Sequence, residues 1–366
     1  MRELDRIRQA LAAAAARGDA VLLATVLGVE GSVYRGAGAR MLVTADGNTV
    51  CAVSGGCLEA DIVARAPDVL AANRNEVVRY DTRASDDDIV GLGLGCQGII
   101  DLLLEPLAGA ALQDAVAFFD RLVSHRDRVT VLTLQRSHAG GPPVGSRLLL
   151  DEHGSIIEGD ASLLALESDL AREIVRPAIP LVICGGGADA IPLVNLAKLM
   201  GWHVTVIDHR ASFASASRFP EADVVINVNL TQDPGALAGR LLLDGRTAAV
   251  VMAHSAAHDR AYLHVMRDAG ASYIGVLGPR RRTNELMGDG AGGSDRALPP
   301  HVYAPVGLDL GAESPEDIAL AIVAEVAAVN VGRMGGHMRD RSGPIHGTEN
   351  RSSLPSSIAA GTIQPD

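Results

Sequence analysis

A cysteine stands in a glycine-rich segment just before a predicted helix. Residues 54–59 read SGGCLE, so that Cys57 directly follows Gly55 and Gly56. The helix is expected from about Cys57 to Arg65, and the dipole and unpaired amides at a helix N-terminus favour the thiolate form of a cysteine there. The alternative is that Cys57 is a small apolar residue of the core, as most free cysteines are. The spacing alone leaves the two interpretations equally weighted.

A second cysteine and two arginines accompany further glycines. Cys96 lies in the glycine-flanked turn GCQG, and Arg35 and Arg40 flank a glycine-rich loop at residues 31–40. Two loop thiols and two guanidinium groups near glycine backbone suit an anionic ligand that carries sulfur or a metal. The four cysteines include no C-x-x-C pair, so their spacing assigns none of them as a metal ligand. The sequence therefore predicts a candidate site for an anionic ligand and no metal site.

A glycine fingerprint follows an apolar strand in the second half of the chain. Residues 181–184 read LVIC, and residues 185–190 read GGGADA before a predicted helix. In this strand–turn–helix context Gly185 permits a tight turn, and Gly187 allows the backbone to approach a pyrophosphate. The pattern predicts nucleotide binding. The alternative is a sheet of the same architecture whose glycine turn binds nothing.

Two acidic residues influence which nucleotide is expected. Asp208 ends the next predicted strand, where an acidic group binds a ribose hydroxyl and favours NAD over NADP. Asp189 lies in the first turn of the predicted helix, where its charge suits the helix dipole but repels a nearby phosphate. The neighbouring pair His209-Arg210 weakens the preference for NAD.

Two further candidates follow predicted strands at the edge where such sheets bind ligands. His254 follows the fourth strand of the C-terminal half, where it would orient a substrate or transfer a proton. The alternative role is to close the strand or cap the next helix. Arg280 begins the run RRR after the fifth strand, where forked hydrogen bonds to phosphate are possible, and a solvated helix start is the alternative.

Hydrophobic periodicity predicts an α/β protein with two differently built halves. The C-terminal half alternates strands and helices, which indicates a Rossmann-like, doubly wound parallel sheet, and the N-terminal half is mixed α+β. A helical segment is also expected at residues 161–176. The expected division is an N-terminal domain at 1–108, connecting helices and strands at 109–178, a Rossmann-like domain at 179–330 and a flexible tail at 331–366.

Composition excludes several classes of function. The chain has 366 residues, a net charge of −12 and only 3% aromatic residues, which argues against nucleic acid and anionic membranes as partners. No apolar run reaches about 18 residues, so no membrane span is expected. Four scattered cysteines do not form a disulfide scaffold, which favours the cytoplasm.

Eight segments match the motifs of one protein family in the same order along the chain. Two of them are specific, SGGCLE within residues 53–63 and PVGLDLGAESPEDIA within 305–326. The others lie at residues 38–47, 78–83, 91–107, 181–210, 218–223 and 273–282. With these segments distributed between residues 38 and 326, the chain resembles the xanthine dehydrogenase accessory factors, the XdhC/CoxI family.

The resemblance implies a chaperone for the maturation of molybdenum hydroxylases. Such proteins bind the molybdenum cofactor, as molybdopterin or its dinucleotide form, protect it during sulfuration and pass it to the apoenzyme. The implied partners are an apo molybdenum hydroxylase and a cysteine desulfurase, and a homodimer is expected. The residues that match the family motifs are Cys57, Glu59, Cys96, Gly185, Gly187 and Asp208.

Two other functions remain open at this point. An NAD(P)-dependent oxidoreductase would use the Rossmann-like domain with His254 as its catalytic group. A docking protein would bind only the apoenzyme through a sheet that has lost its ligand. Four scattered cysteines do not provide the clustered iron–sulfur ligands of the dehydrogenase itself, which makes a catalytic dehydrogenase the weaker expectation.

Overall fold

The computed structural model describes residues 2–81, 97–288, 297–340 and 342, which form two compact units, Glu3–Pro177 and Ala178–Ser342. Cys96 and most of the expected tail lie outside the described residues. Residues 331–340 are exposed and end in a 3₁₀ turn, Met338–Asp340. Among the described residues, no helix is both long and apolar enough to cross a membrane.

The first unit is built around a five-stranded antiparallel sheet. Its strands are β1 (Val21–Ser32), β2 (Arg40–Val43), β3 (Thr49–Cys51), β4 (Glu76–Asp81) and β5 (Gln97–Leu107), in the order β3-β2-β1-β5-β4. Three helices accompany it: α1 (Arg2–Arg17), α2 (Glu59–Ala72) and α3 (Gly109–Ser124). Alternate residues of β1 face opposite sides, so Leu22 packs in one core with Ile62 of α2, and Leu23 packs in another with Leu11 of α1.

A second antiparallel sheet completes this unit. Its strands are β6 (Val129–Leu134), β7 (Arg147–Leu150), β8 (Ile156–Gly159) and β9 (Leu170–Val175), in the order β8-β7-β6-β9. The helix expected at residues 161–176 is wrong for its second half, because a 3₁₀ helix at Ala161–Asp169 gives way to β9. Residues 170–175 form a strand because they pair with β6. An apolar pattern of that length does not distinguish a strand from a buried helix. The segment 109–177 thus packs within the first unit.

The second unit is a six-stranded parallel sheet, as predicted. Its strands are β10 (Pro180–Cys184), β11 (His203–Asp208), β12 (Val224–Asn227), β13 (Ala248–Val251), β14 (Tyr273–Val276) and β15 (Val302–Tyr303). The helices are α4 (Ala190–Leu199), α5 (Ala256–Asp268), α6 (Arg280–Met287) and α7 (Pro315–Asn330). The order β12-β11-β10-β13-β14-β15 reverses direction between β10 and β13. Ligands of doubly wound sheets bind beyond the carboxyl ends of the strands at such a reversal.

Candidate functional site

Ser54 holds the cysteine loop of the first unit together. Its buried hydroxyl accepts hydrogen bonds from the backbone N–H groups of Gly56 and Leu58, each at 3.2 Å, and donates to the carboxylate of Glu59. The sulfur of Cys57 lies 3.3 Å from the same Oγ. The sequence analysis missed Ser54, although serine ahead of glycines and an acid is the residue type that caps such a loop.

Glu59 closes the loop from its other end. Helix α2 begins at Glu59, and Oε1 reaches back to accept the backbone N–H groups of Val53 at 3.1 Å and Ser54 at 2.7 Å. Partial burial raises the pKa of Glu59, but these hydrogen bonds and that of the Ser54 hydroxyl outweigh it and leave the pKa below its usual value. Glu59 is therefore ionised, and in this structure it positions the loop.

The loop is open at Gly56, whereas Cys57 is partly buried and packs against the core that contains Ile62. Gly56 has φ 114°, and a Cβ at that residue would meet nothing within 4 Å. Among the described residues, the backbone N–H groups of Gly55 and Cys57 have no acceptor. The ring of Tyr34, which is 65% exposed, lies beside Gly55. The loop thus presents a thiol, two free amide donors and a tyrosine ring.

The two arginines expected at this site bind carboxylates of the protein instead. Arg40 is 2% exposed, and its Nη1 donates to Oε1 of Glu173 and to the carbonyl of Gly38, each at 2.8 Å. The guanidinium of Arg35 is paired with the carboxylate of Glu3. A ligand contact of Arg40 stays a prediction that the structure does not favour, because the guanidinium is buried and bound to this fixed partner. Arg35 is half-buried, pairs with Glu3 through Nη2 and stays a predicted ligand contact.

The three glycines of the second unit have different roles. A Cβ at Gly185, where φ is 124°, would lie 2.6 Å from the backbone nitrogen of Ala253, and one at Gly186 would lie 2.3 Å from the carbonyl oxygen of Phe213. A Cβ at Gly187 would meet only the ring of His254, at 4.0 Å. The N–H groups of Gly187 and of the following alanine donate to no acceptor in the described part of the chain. Gly185 and Gly186 therefore allow the loop to pack against the segments that follow β13 and β11, and Gly187 leaves room for a ligand.

We predict that Gly187→Val weakens nucleotide binding strongly while the protein stays folded. The added side chain enters the open space beside the free amides, so the affinity for NAD⁺ or NADP⁺ should fall at least about tenfold. The free energy of unfolding should change by less than about 1 kcal/mol. Denaturation followed by fluorescence of Trp202, the single tryptophan, reports on the core of this unit.

Gly185→Ala is the matched control for that substitution. It places a methyl group against the backbone that directly follows β13, at a positive φ, and we expect destabilisation of about 3 kcal/mol. Nucleotide binding that persists in folded Gly187→Val would mean that the ligand does not approach this loop.

Asp208 is in the expected place, but its oxygens are already occupied. The side chain is fully buried, and its two oxygens accept hydrogen bonds from Gly186 and from Arg210. Burial raises the pKa of Asp208, but the bonds from Arg210 and Gly186 outweigh it, so the pKa lies below its usual value. The expected contact with a ribose hydroxyl would require Arg210 to leave.

His254 lies beside the glycine loop in a constrained backbone conformation. Its φ is 57°, its side chain is 60% exposed, and Nε2 lies 3.5 Å from Oδ2 of Asp189. The fully buried Asp259 fixes this segment by accepting the N–H of Ala253 at 2.9 Å and by pairing with Arg282. His254 thus lies beside the carboxylate of Asp189, whose charge opposes a phosphate at this loop.

Arg280 is the first residue of α6 and is exposed, without a polar partner among the described residues. The next two arginines of that run pair with Glu285 and Asp259. In the part of the chain that the structure describes, no three His, Cys, Asp or Glu side chains are grouped so as to hold a metal ion.

Comparison with known proteins identifies both units. Residues 14–81 match the model of the XdhC and CoxI family, and residues 181–326 match that of the XdhC Rossmann domain. A protein of Bacillus subtilis named as a probable subunit of xanthine dehydrogenase is 33% identical over 320 residues, covering 83% of this chain and 92% of that protein. The chain belongs to the XdhC and CoxI family.

Two further proteins similar to this XdhC/CoxI protein support the same family and fold. The molybdenum cofactor insertion chaperone PaoD of Escherichia coli is 26% identical over 315 residues, which cover 86% of this chain and 85% of PaoD. The crystal structure of a protein from Bacillus halodurans described as a xanthine dehydrogenase superposes with a TM-score of 0.75 at 29% identity. The superposition covers 92% of this chain and 98% of the Bacillus halodurans chain. The expected family and fold are thus confirmed.

Proposed function

We propose that this protein binds the molybdenum cofactor, protects it during sulfuration and delivers it to a molybdenum hydroxylase related to xanthine dehydrogenase. Membership in the XdhC and CoxI family and the similarity to an insertion chaperone support this function. The structural observation that carries it is the open loop at Cys57, where a thiol and two free amides lie together.

The donors of this loop fit the chemistry of the cofactor. The cofactor is an anionic pterin with a dithiolene, a phosphate and a metal–oxo group. A thiol is a soft ligand suited to a metal, and backbone N–H groups bind anionic oxygens. Cys57 would hold the metal end, the amides of Gly55 and Cys57 would hold an oxygen, and Ser54 and Glu59 would keep the loop in shape. Cys96 stays a prediction, because it lies outside the described residues.

The glycine loop of the second unit is the proposed phosphate site. The free amides of Gly187 and Ala188 precede α4, and the N-terminus of a helix attracts negative charge. The phosphate would come from the cofactor, as molybdopterin or its dinucleotide form, or from a separate NAD(P). Arg280, which is exposed and free to move, stays a predicted phosphate contact.

The remaining proposals concern partners and place of action. An apo molybdenum hydroxylase would receive the cofactor, a cysteine desulfurase would supply its sulfur, and the chain would act as a homodimer in the cytoplasm. An NAD(P)-dependent oxidoreductase is not favoured, because one relative carries the name of an insertion chaperone. His254 stays a candidate for orienting the ligand rather than for hydride chemistry.

Pterin content is the direct test of this function. The protein is purified from a host that makes the molybdenum cofactor, then oxidised, and pterin fluorescence is measured against protein concentration. We expect a signal close to one pterin per chain that is absent from a cofactor-deficient host. A protein without pterin that binds NAD⁺ in a titration would contradict the chaperone function.

A further inference from the structure

An arginine of the protein occupies the acceptor that a ribose diol normally uses. In dinucleotide-binding sheets the acidic residue at the end of the second strand binds the ribose hydroxyls. Here Oδ1 of Asp208 accepts the backbone N–H of Arg210 at 2.8 Å and its Nε at 2.9 Å. Oδ2 accepts Nη2 of Arg210 and the N–H of Gly186, both at 2.8 Å. A carboxylate has about four acceptor positions, so none remains for a ligand hydroxyl.

Arg210 belongs to a cationic cluster beside the glycine loop. Its guanidinium lies 3.7 Å from the ring centre of Phe213, and that of Arg218 lies 5.0 Å from the same ring. Nε of Arg218 donates to the carbonyl of Gly186 at 2.9 Å. We call Arg210, Arg218 and Phe213 the arginine cluster. Gly186 thus contacts both sides of this site, because its carbonyl accepts from Arg218 and its N–H donates to Asp208.

The cluster has donors left for a ligand. Arg210 uses Nε and Nη2 on Asp208, and Arg218 uses only Nε. Within the described residues, Nη1 of Arg210 and both terminal nitrogens of Arg218 have no acceptor. Both side chains are half-buried, so they reach solvent from a fixed position.

The charge of the cluster selects between two kinds of ligand. Asp208 neutralises one of the two guanidinium groups, so the cluster and Asp208 together keep one positive charge. A ribose diol needs an acceptor and finds none. A phosphate monoester brings negative charge and three acceptor oxygens, which match the forked donors of arginine.

We propose that the arginine cluster is a subsite for a phosphate monoester, and that Asp208 holds Arg210 there instead of binding a ribose. This proposal rests on the proposed binding of a phosphate-bearing ligand at the glycine loop. The 2′-phosphate of an NADP-like nucleotide and the terminal phosphate of molybdopterin have this same chemistry.

The test begins with NADP⁺ and NAD⁺, which differ by one phosphate monoester, titrated calorimetrically into the full chain. We expect NADP⁺ to bind at least about tenfold more tightly. Arg210→Ala and Arg218→Ala should each remove most of this preference. Arg267→Ala is the matched control, because that arginine lies in the last turn of α5 and pairs with Asp268, and it should leave the preference unchanged.

Competition with molybdopterin distinguishes the two sources of phosphate. Displacement of NADP⁺ by molybdopterin, weakened in Arg210→Ala, assigns the subsite to the pterin phosphate. Binding of NADP⁺ that molybdopterin does not displace assigns it to the 2′-phosphate. The subsite would be overturned, but not the chaperone function, by two results together. NADP⁺ and NAD⁺ would bind equally tightly, and both arginine variants would still retain pterin. A chain that binds neither nucleotide nor pterin would overturn both.

Discussion

Replacing Arg40 with methionine is expected to lower the free energy of unfolding of the first unit by about 3 kcal/mol. The substitution removes a guanidinium that is 2% exposed and leaves the carboxylate of Glu173, 16% exposed, without its partner. Losing one member of a buried ion pair is costly because the remaining charge stays desolvated. Hydrogen exchange of peptides from β1 and β2 measures this loss directly, whereas Trp202 reports only on the second unit.

Two controls separate this structural role from ligand binding. Arg121→Met removes an arginine that is 44% exposed from its pair with Glu158, and we expect a loss below about 1 kcal/mol. The double variant Arg40→Met with Glu173→Met should recover much of the stability, because no charge stays buried alone. An Arg40→Met protein of unchanged stability that retains no pterin would instead make Arg40 a ligand contact.

Replacing Cys57 with serine is expected to reduce the pterin content of the purified protein at least about tenfold. Serine keeps the size of the side chain and its hydrogen bond to Ser54, but a hydroxyl is a poor ligand for a soft metal centre. The stability should stay within about 0.5 kcal/mol, because the loop is held mainly by Ser54 and Glu59. Pterin content after oxidation and denaturant unfolding measure the two quantities.

Cys51→Ser is the matched control for the thiol. Cys51 is a second partly buried cysteine of the same unit, and burial, followed by the charge of Glu3, raises the pKa of its thiol. A raised pKa keeps the sulfur protonated, which makes it a poor metal ligand. The pterin content of Cys51→Ser should match that of the unchanged chain. A stoichiometric pterin signal in Cys57→Ser would exclude the thiol from cofactor binding.

The three glycines of the fingerprint show which roles its spacing can predict and which it cannot. The fingerprint predicted that Gly185 serves the turn and Gly187 the approach of a ligand, and the structure gives each glycine surroundings of that kind. Gly186 was not singled out, yet its N–H and C=O are both bound by side chains that surround the loop. Asp208 ends β11 and Arg218 lies in the segment after it, so only the pairing of β11 with β10 brings them to the glycine.

Local patterns in the sequence are sufficient to predict the parallel sheet, its glycine turn and the family. They are the period of apolar residues, glycines at fixed spacing and motifs such as SGGCLE. The partners of the charged groups, in contrast, depend on the folded chain. Arg40 meets Glu173 from 133 positions away because separate strands bring them together, and Arg210 fills the acceptors of Asp208. A residue's type shows which charge it carries, but the fold decides whether that charge is neutralised inside the protein or left for a ligand.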